Sequence, residues 1–324
     1  MSITKVAIIG AGLAGLACAR ALAAHDVAVR LFDKGRGPGG RMASRRVEHA
    51  GQSLNFDHGA QYLTARSRIF AATLRTVGAK TWPQEGRFVG TPRMSQIPRA
   101  LADGLDIALS RQVVSLAGGA GAWRVRHIDA TKVRAGRPLP DEAPVEDGPF
   151  DAVLLALPAP QAIDLLAGTA PSLAGMLSGV TMAPCWTLMA ALTAHPNLPD
   201  WQQIEGGPIA WFARDSGKPG RDHAMECWVA QAGTAWTRAH LEEHADKVAP
   251  LMLEALGKLA GQALAPSYAA AHRWRYAFTE TPLGAPCLWE ASVALGVAGD
   301  WCIGQRAEDA VDSGIALAAA LRKA

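Results

Sequence analysis

The chain has 324 residues, 49% of them apolar and 19% charged, with a formal net charge of +3 when its nine histidines are counted as neutral. That length suffices for two domains and buries roughly three quarters of the extended chain's surface, and the composition excludes the disordered and fibrous classes. So small a positive excess, carried by scattered rather than striped arginines, argues against a nucleic-acid partner.

The five cysteines, Cys18, Cys185, Cys227, Cys287 and Cys302, are far apart, with no CxxC pair and no Cys/His cluster at metal spacing. A reducing, cytoplasmic setting and no metal site are therefore expected. The apolar N-terminal run reads as a working strand rather than a signal peptide. The later apolar runs VTMAPCWTLMAAL and SGIALAAAL fall short of a membrane span.

In chain order, KVAII at Lys5 to Ile9 predicts a strand buried on both faces of a parallel sheet. Gly10, Gly12 and Gly15 follow at the spacing G-x-G-x-x-G. Gly10 allows the turn, Gly12 lets the chain approach a pyrophosphate, and Gly15 lets the following helix pack close to the sheet. The amides opening that helix, from Leu13 and Ala14 onward, can hold a diphosphate. Ala- and Leu-rich Leu13 to Ala24 predicts the helix, and VAVRLF a second strand ending at Asp33, whose carboxylate suits the hydroxyls of an adenosine ribose.

The next stretch, KGRGPGGRMASRR, leaves the carboxyl edge of that strand. It is either a flexible basic loop or a ligand loop in which Gly39 and Gly40 permit close approach while Arg41 and Arg45 offer donors to phosphate. In LNFDHGAQYLTAR, Asp57 and His58 form a catalytic pair, or else Asp57 braces the loop and His58 fills space beside a cofactor. SRIFAATLRTVGA has helical spacing with Phe70, Leu74 and Val77 on one face. GRFVG predicts a hairpin element and MSQIPRALADG a short helix with Pro98 near its start. DIALSRQVVSLAGGAGAWRVRHI predicts paired strands, with Val113 where an edge strand could contact an adenine.

Residues 134–149, RAGRPLPDEAPVEDGP, predict a solvent loop or hairpin tip. FDAVLLALPAPQAIDLLAG returns a buried strand and a helix, with Pro158 and Pro160 as expected crossing points to a second domain. The middle of the chain predicts strands at VTMAPCWTLMAALTA, GPIAWFARDS and HAMECWVAQAG. It also predicts one amphipathic helix over TRAHLEEHADKVAPLMLEALGKLAG, with His240, Glu243 and His244 on its polar side. Trp82, Trp186, Trp201, Trp211, Trp228 and Trp236 lie in this region or before it, where core packing is the default and walling a planar ligand the alternative. A buried strand from Val293 to Ala298 then ends at Gly299 and Asp300. The last helix runs from Arg306 to Leu321 with an apolar side of Ala307, Val311, Ile315 and Leu321; an acid beside its start suits a ribityl or phosphate hydroxyl.

Together VAIIGAGLAGLACARAL, DKGRGPGGRMASRR, FDHGAQYL, HRWRYA and AGDWCIGQRAEDAVDSG resemble the flavin-dependent amine oxidase superfamily, and within it the renalase-like branch. The resemblance implies non-covalent FAD, with Gly10, Gly12, Leu13, Ala14, Gly15, Asp33, Lys34 and Val113 at its adenosine and phosphate end. It implies further contacts from Gly40, Arg41, Met42, Asp300 and Ala307, and a flavin face at His58, Gly59, Ala60 and Gln61. His58, Trp274 and Tyr276 are expected to shape the catalytic pocket. Lys258, in a helix, and Lys218, in a turn, do not match the lysine that many amine oxidases place near the flavin.

The implied fold class is α/β: a Rossmann-like FAD-binding domain with a parallel sheet, plus an α+β substrate domain on a mostly antiparallel sheet. Residues 1–75, 100–160 and 270–324 are expected in the first and 76–99 and 161–269 in the second. The implied activity is oxidation of dihydronicotinamide isomers, reduced NAD(P) nucleotides, by hydride transfer to the flavin, with molecular oxygen as acceptor and hydrogen peroxide as product. The alternatives are an amine or hydrophobic-substrate oxidoreductase on the same scaffold, and a dinucleotide-binding protein without turnover.

Overall fold

A computed structural model describes residues 3–133, 138–221 and 225–323. The chain divides into two compact units: Met1–Gly40, Pro98–Thr181 and Thr279–Ala324 form the first, and Arg41–Ile97 with Met182–Phe278 form the second. Residues 41–75 and 270–278 thus group with the second unit and 161–181 with the first, unlike the expected boundaries. Pro158 and Pro160 do not mark a crossing; they open the helix Ala159–Leu166 inside the first unit.

The first unit is a Rossmann-like domain built on a six-stranded sheet. Lys5–Ile9 sits inside it, parallel to Ala28–Phe32 on one side and to Ala152–Leu155 on the other. Asp106–Ala108 and Leu295–Val297 extend the parallel set, and Leu288–Glu290 closes one edge antiparallel. Val6, Ala7 and Ile8 have no exposed surface, which explains why the strand reads as an unbroken apolar run.

The helix Leu13–Ala23 packs against the final helix Ala307–Lys323 through small residues. A Cβ at Gly314 would lie 2.2 Å from the Ala14 carbonyl oxygen. The buried side of the final helix is accordingly Ala310, Ser313, Gly314, Leu317, Ala318 and Leu321, whereas Ile315 is 49% exposed. The expected face is displaced because close backbone approach selects small side chains over bulky ones.

A three-stranded sheet of Arg111–Ala117, Trp123–Asp129 and Val145–Phe150 completes this unit. Of the expected loop, 134–137 lie outside the described residues, and 145–149 belong to a strand instead. Side chains pair across the strands of this acidic segment: Glu146 meets Arg124 at 3.3 Å and Arg126 at 2.9 Å, and Asp147 is hydrogen-bonded to His127 at 2.9 Å.

The second unit is mostly antiparallel. Its five-stranded sheet runs in the order Trp201–Gln203, Ile209–Arg214, Glu226–Ala232, Thr181–Leu192, Pro266–Thr281. Thr181–Leu192 is buried on both faces, which accounts for its weak alternation in sequence. Trp186, Leu188 and Ala190 join Phe212, Trp228 and the helix Ala245–Ala260 in one cluster, while Met189 and Ala191 join Leu54 and Phe56 in another. Trp186 and Trp228 are therefore core residues.

The expected long helix is two, Thr234–Ala239 and Ala245–Ala260. His240 ends the first: its ring stacks on Trp236 at 4.0 Å, and its carbonyl accepts a hydrogen bond from Trp186 Nε1 at 3.0 Å. Smaller antiparallel pieces are Arg45–His49 with Gln52–Phe56, and Leu63–Thr64 with Arg87–Val89 and Lys80–Thr81. Among the described residues no helix is long and apolar enough to cross a membrane, and no cluster of His, Cys, Asp and Glu could hold a metal ion.

Candidate functional site

In the first unit the three glycines of the turn differ in what surrounds them. Gly10 has φ +107°, a conformation that L side chains rarely adopt, and a Cβ there would lie 2.4 Å from the Ala156 carbonyl oxygen. A Cβ at Gly15 would lie 2.0 Å from the Gly10 carbonyl oxygen, so only glycine lets the helix come this close. At Gly12 a Cβ would meet nothing within 4 Å. The turn is thus closed toward the protein at Gly10 and Gly15 and open at Gly12. Gly12 caps the helix without a side-chain bond, so the first amides, including those of Leu13 and Ala14, have no partner within the helix.

Asp33 ends the second strand beside this turn. Its Oδ2 accepts from the Ala11 amide at 2.7 Å and its Oδ1 from the Gly35 amide at 2.6 Å. The Asp33 carbonyl also accepts from the Arg111 amide at 2.8 Å, which ties in the edge strand Arg111–Ala117 that carries Val113. Lys34 and Gly40 are exposed, and Gly40, with φ +54°, opens a 3-10 turn that includes Arg41 and the buried Met42.

Asp300 is 4% exposed and opens another 3-10 turn. Its carbonyl accepts from the Ile303 amide at 2.8 Å and the Gly304 amide at 2.7 Å, ahead of the helix that starts at Ala307. The first unit therefore ties Asp33 to the glycine turn through the Ala11 amide, between Gly10 and Gly12, with Val113 on the tied strand.

In the second unit the segment Asp57–Gln61 is fixed almost atom by atom. The Asp57 amide donates to Asp215 Oδ2 at 3.0 Å, and the Ala60 amide to the Arg41 carbonyl at 2.9 Å. Its carbonyls are taken in turn by side chains: Asp57 by Gln61 Nε2, His58 by Trp274 Nε1 at 2.9 Å, and Gly59 by Gln231 Nε2 at 2.8 Å. A Cβ at Gly59 would lie 1.9 Å from the Arg41 carbonyl oxygen, so this position too admits only glycine.

Asp57 does not pair with His58. Its carboxylate takes bonds from Ser44 Oγ at 2.6 Å, the Met94 amide at 2.9 Å and Arg221 Nη2, with Lys218 Nζ at 3.6 Å. Of the two readings of the sequence, the brace is the one found. Burial alone would raise the Asp57 carboxyl, but Lys218 and Arg221 outweigh it and hold it below the usual carboxylate range.

The His58 ring lies 4.8 Å from that of His272 and 5.1 Å from that of Trp274, and the last two are 4.5 Å apart. Burial, then His272 and Arg45, push His58 down to about 3; burial and Arg45 push His272 down to about 4. Both imidazoles are neutral at neutral pH, and His58 Nδ1 is buried with no hydrogen-bond partner. Tyr276 follows His272 and Trp274 at alternate positions of the strand Pro266–Thr281 and makes no ring contact with either. A further aromatic group stacks Trp201 on Trp211 at 5.2 Å and sets Tyr62 tilted against Trp211 at 5.3 Å, with the Arg87 guanidinium 4.3 Å over Tyr62.

Sequence reading missed Lys218, Asp215, Arg221, Gln231 and His272. Lys218 lies in a turn, as expected, yet has no exposed surface. Its Nζ is 2.6 Å from Asp215 Oδ1 and 3.3 Å from Gln61 Oε1. Burial, with the neighbouring Asp57 charge adding to it, raises the Asp215 carboxyl against the pull of Lys218. The only local signal was the Asp215-to-Lys218 spacing. Lys258, by contrast, is an exposed partner of Glu254 at 2.8 Å.

Residues 8–75 match the NAD(P)-binding Rossmann-like domain, and residues 78–322 match the flavin containing amine oxidoreductase family. Two similar solved structures span nearly the whole chain. One, from Exiguobacterium sp. 255-15 and provisionally named a protoporphyrinogen oxidase, shares 14% identity at a TM-score of 0.69, covering 100% of this chain and 99% of that one. The other, a redesigned double mutant of putrescine oxidase, shares 13% identity at a TM-score of 0.66, covering 99% of each chain. At such identities the likeness is one of fold.

Proposed function

Since the chain belongs to the flavin containing amine oxidoreductase family and its cofactor is non-covalent FAD, we propose that it is an oxidase of amine or other hydrophobic substrates, with molecular oxygen as acceptor. The observation that carries this reading is the family match over residues 78–322, which includes the whole five-stranded sheet. When bound, FAD would supply two-electron chemistry between a substrate carbon and molecular oxygen.

The rest falls to the protein's own groups. Open space at Gly12 and the unpaired amides of Leu13 and Ala14 bind the pyrophosphate, and Asp33, steadied by Ala11 and Gly35, keeps oxygen lone pairs for the ribose. Lys34, Gly40, Arg41, Met42, Asp300 and Ala307 complete the proposed cofactor contacts, with Val113 beside the adenine. His58, Gly59, Ala60 and Gln61 form the flavin face. Neutral His58, with Trp274 locked to its carbonyl, presents an uncharged aromatic wall that orients substrate, and Tyr276 lies on the same strand as Trp274.

A second reading, oxidation of a reduced nicotinamide nucleotide isomer, draws on one observation. Arg87 is laid over Tyr62 and, at 5.3 Å, over Trp201, so a fixed guanidinium stands on an aromatic surface that suits a nucleotide phosphate. The test is anaerobic mixing of the yellow protein with a primary aliphatic amine, a hydrophobic arylalkylamine, and the 2- and 6-dihydro isomers of NAD. Bleaching of the flavin absorbance by an amine alone supports the first reading. Bleaching only by a dihydro isomer replaces it with the second.

A further inference from the structure

The second unit buries four charges together: Asp57 and Asp215 at 1% exposure, Lys218 at 0% and Arg221 at 9%. Two acidic side chains face two basic ones, and each group is held. Arg221 Nη1 donates to the carbonyls of Gly90 at 2.8 Å and Pro219 at 3.1 Å, Ser44 and the Met94 amide serve Asp57, and the Lys218 ammonium also lies 5.2 Å over the Trp82 ring. A buried ion cluster gives little stability over apolar residues of equal volume. What apolar packing cannot supply is direction.

Here the direction is visible at Gln61. Lys218 donates to its Oε1, which turns its amide nitrogen toward the carbonyls of Asp57 and, at 3.2 Å, Gly59. A lysine can only donate, so it admits one orientation of the carboxamide and excludes the flipped one. Asp215 fixes the lysine and also takes the Asp57 amide, closing the circuit on the same five-residue segment.

We propose that Lys218 is a positioning residue that, by fixing the carboxamide of Gln61, sets the backbone of the 57–61 segment against the flavin. This rests on the reading that places the flavin face at that segment. Asp57, Asp215 and Arg221 hold the lysine charge in place, and the device acts on cofactor geometry and redox poise rather than on a proton in the reaction.

The test uses the FAD-loaded protein with Lys218→Met, Gln61→Glu, their double variant, and His58→Ala as a reference for flavin proximity. Three quantities are read: the melting temperature, the shape of the flavin absorption bands, and the flavin midpoint potential. Gln61→Glu keeps an acceptor for Lys218 but loses both donated bonds. The expected result is that each single variant changes the bands and shifts the potential in one common direction, and that the double variant shifts it no further than the larger single change.

Lower melting temperatures with bands and potential unchanged, while His58→Ala moves them, would make the cluster purely structural and overturn the proposal. Additive shifts in the double variant would overturn the route through Gln61. If Lys218→Met does not fold, Gln61→Glu alone decides, since an unaltered flavin in that variant also overturns it. If His58→Ala leaves the flavin unaltered as well, the placement of the flavin face falls, and this inference with it.

Discussion

Alanine at Gly12 and alanine at Gly15 should have opposite consequences, although the two glycines belong to one fingerprint. A Cβ at Gly15 would sit 2.0 Å from the Gly10 carbonyl oxygen and 3.2 Å from the Ala156 Cβ, so the helix must move away from the turn. Overpacking of this kind costs about 3 kcal/mol, against which the better helix propensity of alanine returns about 1 kcal/mol. Gly15→Ala should therefore destabilise the apoprotein by about 2 kcal/mol.

At Gly12 the backbone is already in an extended conformation open to alanine, with φ −76° and ψ −178°, and the added carbon meets nothing. The weaker helix cap costs about 0.5–1 kcal/mol, and the stiffer unfolded chain offsets about as much. Apoprotein stability should stay within about 0.5 kcal/mol of the parent. The same carbon occupies the space reserved for the pyrophosphate, so FAD should bind at least about tenfold more weakly, or about 1.4 kcal/mol. Urea unfolding of the apoproteins and titration of FAD by quenching of its fluorescence measure both quantities. FAD affinity within about twofold of the parent in Gly12→Ala would refute the placement of the pyrophosphate.

Asp33→Ala removes the acceptor for the Ala11 and Gly35 amides; purified protein should retain less FAD by its 450-nm-region absorbance, and full occupancy would count against a ribose contact. Gly314→Ala brings a Cβ to 2.2 Å from the Ala14 carbonyl oxygen and should cost about 1–3 kcal/mol in urea unfolding; a midpoint equal to the parent's would show that the two helices do not pack this closely. His58 and His272, depressed to about 3 and about 4 when folded, bind protons in the unfolded chain first. The stability of their neutral forms is thus complete above the ordinary histidine range and lost as the pH falls from about 6.5 toward those values, with a limiting slope of about 1.4 kcal/mol per pH unit for each group. A pH series of urea midpoints checks this, and His58→Gln should flatten it; an unchanged slope would show that His58 is not buried neutral.

The sequence by itself determined the parts of this protein that local rules control. Strand, glycine turn, helix, strand and acid are contiguous, so their periodicity and spacing carry the secondary structure of the first forty residues without help from distant chain. The same holds for Phe70 and Leu74, buried on one face of the helix Arg68–Thr76.

Tertiary structure decided what depends on partners far along the chain. The final helix buries Ser313 and Gly314 because Leu13–Ala23 comes close enough to demand small residues, and no hydrophobic period encodes that. The acidic segment around Glu146 is a strand by pairing with Trp123–Asp129, which sets Arg124 and Arg126 beside Glu146. Asp57 reads equally as a base or a brace until Lys218 and Arg221, more than a hundred and fifty positions away, are brought to its carboxylate. A buried charge is stable only beside its counter-charge, and sequence proximity has no bearing on which residue supplies it.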